Sequence, residues 1–215
     1  MIGRVSSVSG VSSISSIPTI SNASNEQFIP VRPGQFVSTP RAFGMYKDGH
    51  IGFNALLYAP FVPLVSARWS LETAVLGTVL VVGLAPLPDI DELLPRIPHR
   101  GPTHTVWFAV LVGLFAGVGT TLLVDATATS STSVSAFRFG FAVGTGSVLA
   151  HLAGDVVTPM GISPFAPVSA AHVTLDWFPS KHGRINRALL LLGSGALLSS
   201  LALAIGFSSA SVPPI

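Results

Sequence analysis

A small set of imidazoles and carboxylates interrupts an otherwise apolar chain: His50, Asp89, Asp91, His104, His151 and Asp155. Such groups in or at the ends of apolar segments are costly to bury and by default mark function. His151 and Asp155 are four residues apart, so a helix puts them on one face, one turn from each other. Metal-ligand pairs use that spacing. Asp89 and Asp91 flank Ile90 just after Pro86 and Pro88. Those prolines are expected to unwind a helix end and let both carboxylates point into one pocket. The run His99-Arg100-Gly101-Pro102-Thr103-His104 reads as a tight turn at Gly101 and Pro102, with Thr103 as the expected cap of the next helix.

Neutral imidazole combined with carboxylate suits a divalent metal, Zn²⁺ first with Mn²⁺ or Fe²⁺ as alternatives, rather than Ca²⁺ with its all-oxygen shell. Such an ion lowers the pKa of its water toward about 7 and creates a hydroxide nucleophile. His50, Asp89, Asp91, His99, His104, His151 and Asp155 are expected to converge on one shared site. Asp89 or Asp91 is expected to act as ligand or general base. Arg100, with His99, is expected to hold an anionic substrate oxygen such as that of a phosphate. A single histidine at a membrane interface is more often a polar anchor than a ligand, so the inference rests on convergence. His172 and His182 fall in the polar loop 158–187 and receive no role.

The elements that must position these groups follow from composition. The chain has 215 residues, 49% of them hydrophobic and 9% charged, where soluble domains carry roughly 25% charge. Mean hydropathy is +0.66. These values exclude disorder over most of the chain, a coiled coil and an ordinary cytosolic enzyme. They indicate an all-α, polytopic membrane helical bundle. With no cysteine, disulfides and thiolate chemistry are excluded. The net charge of +2 comes from few and scattered basic residues, so no nucleic-acid partner is expected.

Five spans are expected, over 51–67, 73–88, 106–124, 139–157 and 188–207, against a requirement of about 20 apolar residues each. The first carries Pro60 and Pro63 and is expected to be kinked. Gly113 with Gly117, and Gly140 with Gly144, are small-residue pairs suited to close helix packing. Residues 1–44 are rich in Ser and Pro, with no apolar run long enough for a secretory signal. They are expected to form a disordered tail, and translation is expected to start at Met45, where regular hydrophobicity begins. The integral membrane domain is then 45–215. Trp69, Trp107 and Trp177 read as interfacial anchors. The loop 160–168 is a possible cover for the pocket, and 172–187 an interfacial segment.

Alternating spans put every histidine on one side of the membrane. Of the 11 Lys and Arg, only Arg68 and Arg138 fall on the other side. The positive-inside rule makes the histidine side cytoplasmic. The expected topology is N-terminus in and C-terminus out.

The motif Leu87-Pro88-Asp89-Ile90-Asp91, then His99-Arg100-Gly101-Pro102-Thr103-His104, then His151-Leu152-Ala153-Gly154-Asp155 with Thr158-Pro159 and Gly161, resembles the YdjM-like family of inner-membrane, metal-dependent hydrolases. The resemblance spans about residues 45–170, and His50 after Gly49 matches that family's early histidine. It implies an inner (plasma) membrane location and hydrolase chemistry. The order of ligands is also distantly similar to the zinc-dependent phospholipase C and single-strand nuclease superfamily, which implies phosphodiester cleavage by zinc. Carried over, that similarity implies His50, Asp89 or Asp91, His104, His151 and Asp155 as the metal ligands; the second His-x-x-x-Glu element of that superfamily is missing after residue 155, so one or two metals are expected rather than three.

The expected function is a membrane-embedded metal-dependent hydrolase at the cytoplasmic face, acting on phosphoester bonds of a lipid or small-molecule substrate, with membrane lipid as its surroundings. Two alternatives use the same residues. One is a metal or proton transporter, which the location of the cluster at a membrane edge disfavours. The other is a non-catalytic scaffold stapled by a metal.

Overall fold

The computed structural model describes residues 47–126, 133–177 and 183–210. The expectations for 1–44, including the start at Met45, and for His182 lie outside the described residues. Among the described residues the secondary structure is helical: α1 (Lys47–Tyr58), α2 (Phe61–Arg68), α3 (Leu71–Leu84), α4 (Val106–Ala126), α5 (Ser133–Val156) and α6 (Gly183–Ala210). Two short 3₁₀ turns, Pro88–Leu93 and Pro102–His104, lie between α3 and α4.

Proline chemistry shapes the first part of the chain. Pro60 has no N–H to continue α1, and the α1–α2 pair bends there by 50°. Pro63 sits in the first turn of α2, where its missing donor is not needed. Ser70 caps α3 by accepting from the backbone N–H of Thr73 at 3.2 Å. The α-helical part of α3 stops at Leu84 before Pro86 and Pro88. The 3₁₀ turn beyond them buries Asp89 and Asp91 while leaving Ile90 and Leu93 exposed. Thr105, not Thr103, caps α4: its hydroxyl oxygen accepts from the Phe108 N–H at 3.3 Å. The Thr103 hydroxyl donates to Asp91 instead, at 3.0 Å.

Helices α4 and α5 pack along their length, and α1 packs on α6. The glycine pairs lie in the α4–α5 contact, as expected. A Cβ on Gly113 would run into the Thr145 hydroxyl, and one on Gly140 into Thr120 and the Ala116 carbonyl. Small residues there let the two backbones approach. One apolar cluster, with Val62, Val65, Val81, Phe139 and Val143, fills the middle of the bundle. A second, with Ala109, Val112, Val148, Leu152 and Ile162, lies near the α5 C-terminus. After α5 the chain turns back. Ile162 and Val173 form an antiparallel bridge, and the Leu175 N–H donates to the Val156 carbonyl at 2.7 Å.

Three segments are long and apolar enough to cross a membrane: Leu71–Leu93, Val106–Ala126 and Gly183–Phe207. The bent α1–α2 pair makes a fourth if it counts as one span. Helix α5 has 24 residues, but glycines, Arg138, His151 and Asp155 dilute its hydropathy. Large apolar side chains such as Leu64, Phe115, Leu191 and Phe207 face outward, as lipid-facing surfaces do.

Candidate metal centre

The bundle gathers its titratable groups at one end. His50 lies in the first turn of α1, Asp89 and Asp91 follow α3, His104 precedes α4, and His151 and Asp155 lie in the last two turns of α5. All six are buried. Four of their atoms lie close together. His104 Nε2 lies 3.4 Å from His151 Nε2, 3.5 Å from Asp89 Oδ1 and 3.2 Å from Asp155 Oδ2. His151 Nε2 lies 3.4 Å from both Asp89 Oδ1 and Asp155 Oδ2. A tetrahedral shell with metal–ligand bonds of about 2.0–2.2 Å has edges near 3.3–3.6 Å. These five separations, 3.2–3.5 Å, lie close to that requirement, and the groups whose atoms could together hold one ion are Asp89 with His104 and His151, and His50 with His151 and Asp155.

The protonation pattern makes the match more than steric. His151 Nδ1 is 2.7 Å from the Ala85 carbonyl, which only accepts, so Nδ1 carries the proton and Nε2 faces the cluster as a lone pair. His104 Nδ1 faces Thr103 Oγ1 at 3.1 Å and Asp91 Oδ2 at 3.2 Å. The Thr103 proton goes to Asp91, so both of these oxygens are acceptors for the His104 Nδ1–H. Its Nε2 is therefore a lone pair as well. Two imidazole lone pairs and two carboxylates facing one another in a buried space repel unless a proton or a cation sits between them. Orientation of each imidazole through its far nitrogen is how proteins build metal sites. The donor set fits a divalent metal.

His104 shows the proton's side of that competition. Burial works against its charged form, but the Asp155 and Asp89 carboxylates outweigh burial and hold it above the ordinary histidine range. A metal must displace that proton. Metal affinity is expected to fall as pH falls from about 8 to 6, with proton release on binding, because a raised pKa keeps the competitor bound to higher pH. Calorimetric titrations across that range, in buffers of different ionisation enthalpy, check both points.

The other expected ligands differ in position. His50 is buried, stacks on His151 at 3.7 Å between ring centroids, and lies 3.5 Å from Asp155 Oδ1. Neither of its ring nitrogens has a hydrogen-bond partner, which leaves a donor free to join a larger coordination shell. Asp91 stands behind His104. Its Oδ2 accepts the Arg100 backbone N–H at 2.8 Å and the Thr103 hydroxyl at 3.0 Å, and Oδ1 pairs with His99 Nδ1 at 3.1 Å. A carboxylate so fully engaged is placed to orient His104. An oxygen of Asp91 does come within ligand reach of Asp89 and His99 as a separate group. Asp91→Asn is expected to weaken metal binding about 10- to 100-fold while leaving four donors in place; metal titration of the purified variant measures this.

Arg100 differs most from its expected role. Its guanidinium points inward, donating to Asp155 Oδ1 at 2.5 Å and to the Gly161 carbonyl at 2.8 Å, with Thr158 Oγ1 at 3.2 Å. It neutralises the face of Asp155 turned away from the two imidazoles and ties the loop after α5 to the turn before α4. Arg100 adopts a positive φ of 60°, a conformation that costs a non-glycine residue about 1–3 kcal/mol. The Asp91 and Asp155 contacts hold it there. His99, half-buried at the rim, has Nε2 3.8 Å from Glu92.

Several supporting groups escape sequence reasoning. The Ala85 and Gly161 carbonyls carry no side-chain signal at all. Asn54 donates to the His50 carbonyl at 3.0 Å, and the Ser147 hydroxyl lies 3.2 Å from Asn54 Oδ1. Each sits one helical turn from a histidine, at the spacing that could have flagged it.

A family model described as YdjM inner membrane protein matches residues 45–212, which extends the similarity past α5 through the whole of α6. No curated protein and no solved structure matches the chain.

Proposed function

We propose that this chain, which belongs to the YdjM inner membrane protein family, is a metal-dependent hydrolase of phosphoester bonds, those of lipids included, working at the cytoplasmic face of the membrane. The observation that carries the reading is the pair of buried imidazole nitrogens, His104 Nε2 and His151 Nε2, with lone pairs turned inward and each within 3.5 Å of an Asp89 and an Asp155 oxygen. When bound there, a divalent cation such as Zn²⁺ supplies Lewis-acid polarisation of a phosphoryl oxygen and acidifies water. The chain's own residues do the rest. Asp91 and the Ala85 carbonyl fix the two ring orientations, Arg100 holds Asp155, and His50 offers a further donor. His99, with Nδ1 on Asp91 and Nε2 3.8 Å from Glu92, holds the turn beside the site.

The topology in this reading has five spans: the bent α1–α2 pair, then α3 to α6. The end with the donors carries Lys47, Arg96, Arg100, Arg184 and Arg187, and the opposite end carries Arg68 and Arg138. That asymmetry supports a cytoplasmic donor end and N-terminus.

One observation favours a second reading. His104, His151, Asp89 and Asp155 lie close enough to one another that together they would fill a four-ligand shell, as in structural zinc sites, whereas catalytic sites keep a position open. The metal would then staple helix ends together without turnover. Metal content by mass spectrometry, followed by a panel of phosphodiester and phospholipid substrates with wild type and His104→Ala, separates the two. Turnover that is removed by chelation, restored by metal and absent in the variant supports the hydrolase. A bound metal with no turnover on any ester supports the staple, and metal uptake into proteoliposomes would instead indicate transport.

A further inference from the structure

A large groove runs along α5 from Arg138 at one end to Ala153, beside the donor residues, at the other. It is a cavity of about 830 Å³ between the α1–α2 elbow and α5, within the size range of sites that bury a ligand. Its walls are apolar, with Phe61, Val65, Phe139 and Val143, and it is lined at one end by Arg68 and Arg138. Asn54 and Ser147 line the other end, where their polar atoms hydrogen-bond within the bundle.

The two arginines carry the inference. They lie at the end of the bundle opposite the donors, where the positive-inside rule disfavours cations. Among the described residues no carboxylate lies within ion-pairing distance of either guanidinium. Arg68 lies 5.6 Å from the ring of Trp69, an arrangement typical of the headgroup level. From Arg138 to Ala153, both of which line the groove, helix α5 rises roughly 22 Å. One leaflet of hydrocarbon is about 15 Å thick. The groove therefore offers a cationic end for a headgroup and an apolar trough longer than one leaflet's acyl chains.

We propose that this groove binds one membrane phospholipid with an anionic headgroup, its phosphate held between Arg68 and Arg138 and an acyl chain laid along α5. The headgroup end is roughly 20 Å along α5 from His151, so this lipid is not the group presented to the donor cluster. The inference does not rest on the hydrolase reading.

The test uses the full chain in neutral detergent, with bound lipid counted by native mass spectrometry. The probes are phosphatidylglycerol, phosphatidylcholine of the same chains, and inorganic phosphate. Phosphatidylglycerol is expected to be retained at about one per chain and preferred over phosphatidylcholine by about 10- to 30-fold, from roughly 1 kcal/mol per arginine. The double variant Arg68→Gln/Arg138→Gln is expected to lose that preference, and Arg68→Lys/Arg138→Lys to keep most of it. A Cβ at Gly146, which lines the groove, meets open space, so Gly146→Trp is expected to fill the trough and expel both lipids. Wild type treated with a chelator is expected to bind phosphatidylglycerol as the untreated protein does, which separates this result from the metal reading. Equal retention of the two lipids, an undiminished preference in the glutamine pair, or unchanged retention in Gly146→Trp would overturn the proposal. Displacement of the lipid by inorganic phosphate alone would also overturn it.

Discussion

His104→Ala is expected to lower the affinity for a divalent metal by at least about 100-fold. His104 Nε2 makes three of the five close approaches among the donor atoms, and alanine leaves nothing in its place. Structural zinc sites of four ligands bind with apparent free energies of about 10–16 kcal/mol, so one ligand represents roughly 3 kcal/mol, or about two orders of magnitude. The variant also leaves the Asp89 and Asp155 carboxylates without the imidazole that separates them, so the metal-free protein loses stability too. Metal content after purification, with competition titration against a chelator of known affinity, checks the first point. His172→Ala is the control. That histidine is exposed and bonds only to Ser163 and the Met160 carbonyl, and its loss is expected to leave metal content unchanged.

Arg100→Met is expected to destabilise the metal-free protein by about 3–5 kcal/mol, the usual cost of leaving one partner of a buried ion pair uncompensated. The Asp155 carboxylate is 2% exposed and has the Arg100 guanidinium as its nearest cation. The same substitution frees the Gly161 carbonyl and Thr158 from their shared donor. Saturating metal is expected to restore part of the loss, because a bound dication compensates the same carboxylate and binding to the folded state adds stability by mass action. Arg96→Met, at an exposed position, is expected to change stability by less than about 0.5 kcal/mol. Denaturation in detergent with and without metal measures all four quantities.

His104 and Arg100 take different parts in the site, and that difference was only partly legible in the sequence. The pairing of His151 with Asp155 could be read directly, because helical spacing alone places them together. The break at Pro60 and the unwinding before Asp89 could be read too, because proline removes a donor whatever the tertiary context. That α1, α3, α4 and α5 all bring such groups to one end followed from alternating helix direction. What the sequence does not carry is which oxygen faces which nitrogen. Asp89 and Asp91 look equivalent as an Asp-x-Asp pair. A 3₁₀ turn sends Asp89 toward the two imidazoles and Asp91 to the far side of His104. Arg100 reads as an anion binder from its type alone. Its inward direction follows from a positive φ beside Gly101, which no side-chain pattern announces. Thr103 and Thr105 are both plausible caps by type, and the choice between them is made by Asp91 accepting from Thr103.

The central claim is that His104, His151, Asp89 and Asp155 surround one cation. The most direct test is X-ray absorption at the metal edge of the protein purified with its native metal, beside metal content per chain. The expected result is about one zinc, manganese or iron ion per chain, with a mixed nitrogen and oxygen shell, near 2.0–2.2 Å if zinc, and outer-shell scattering from two or more imidazoles that disappears in His104→Ala. A metal-free protein that takes up no divalent ion, or a bound ion with only oxygen neighbours and no imidazole signature, would contradict it.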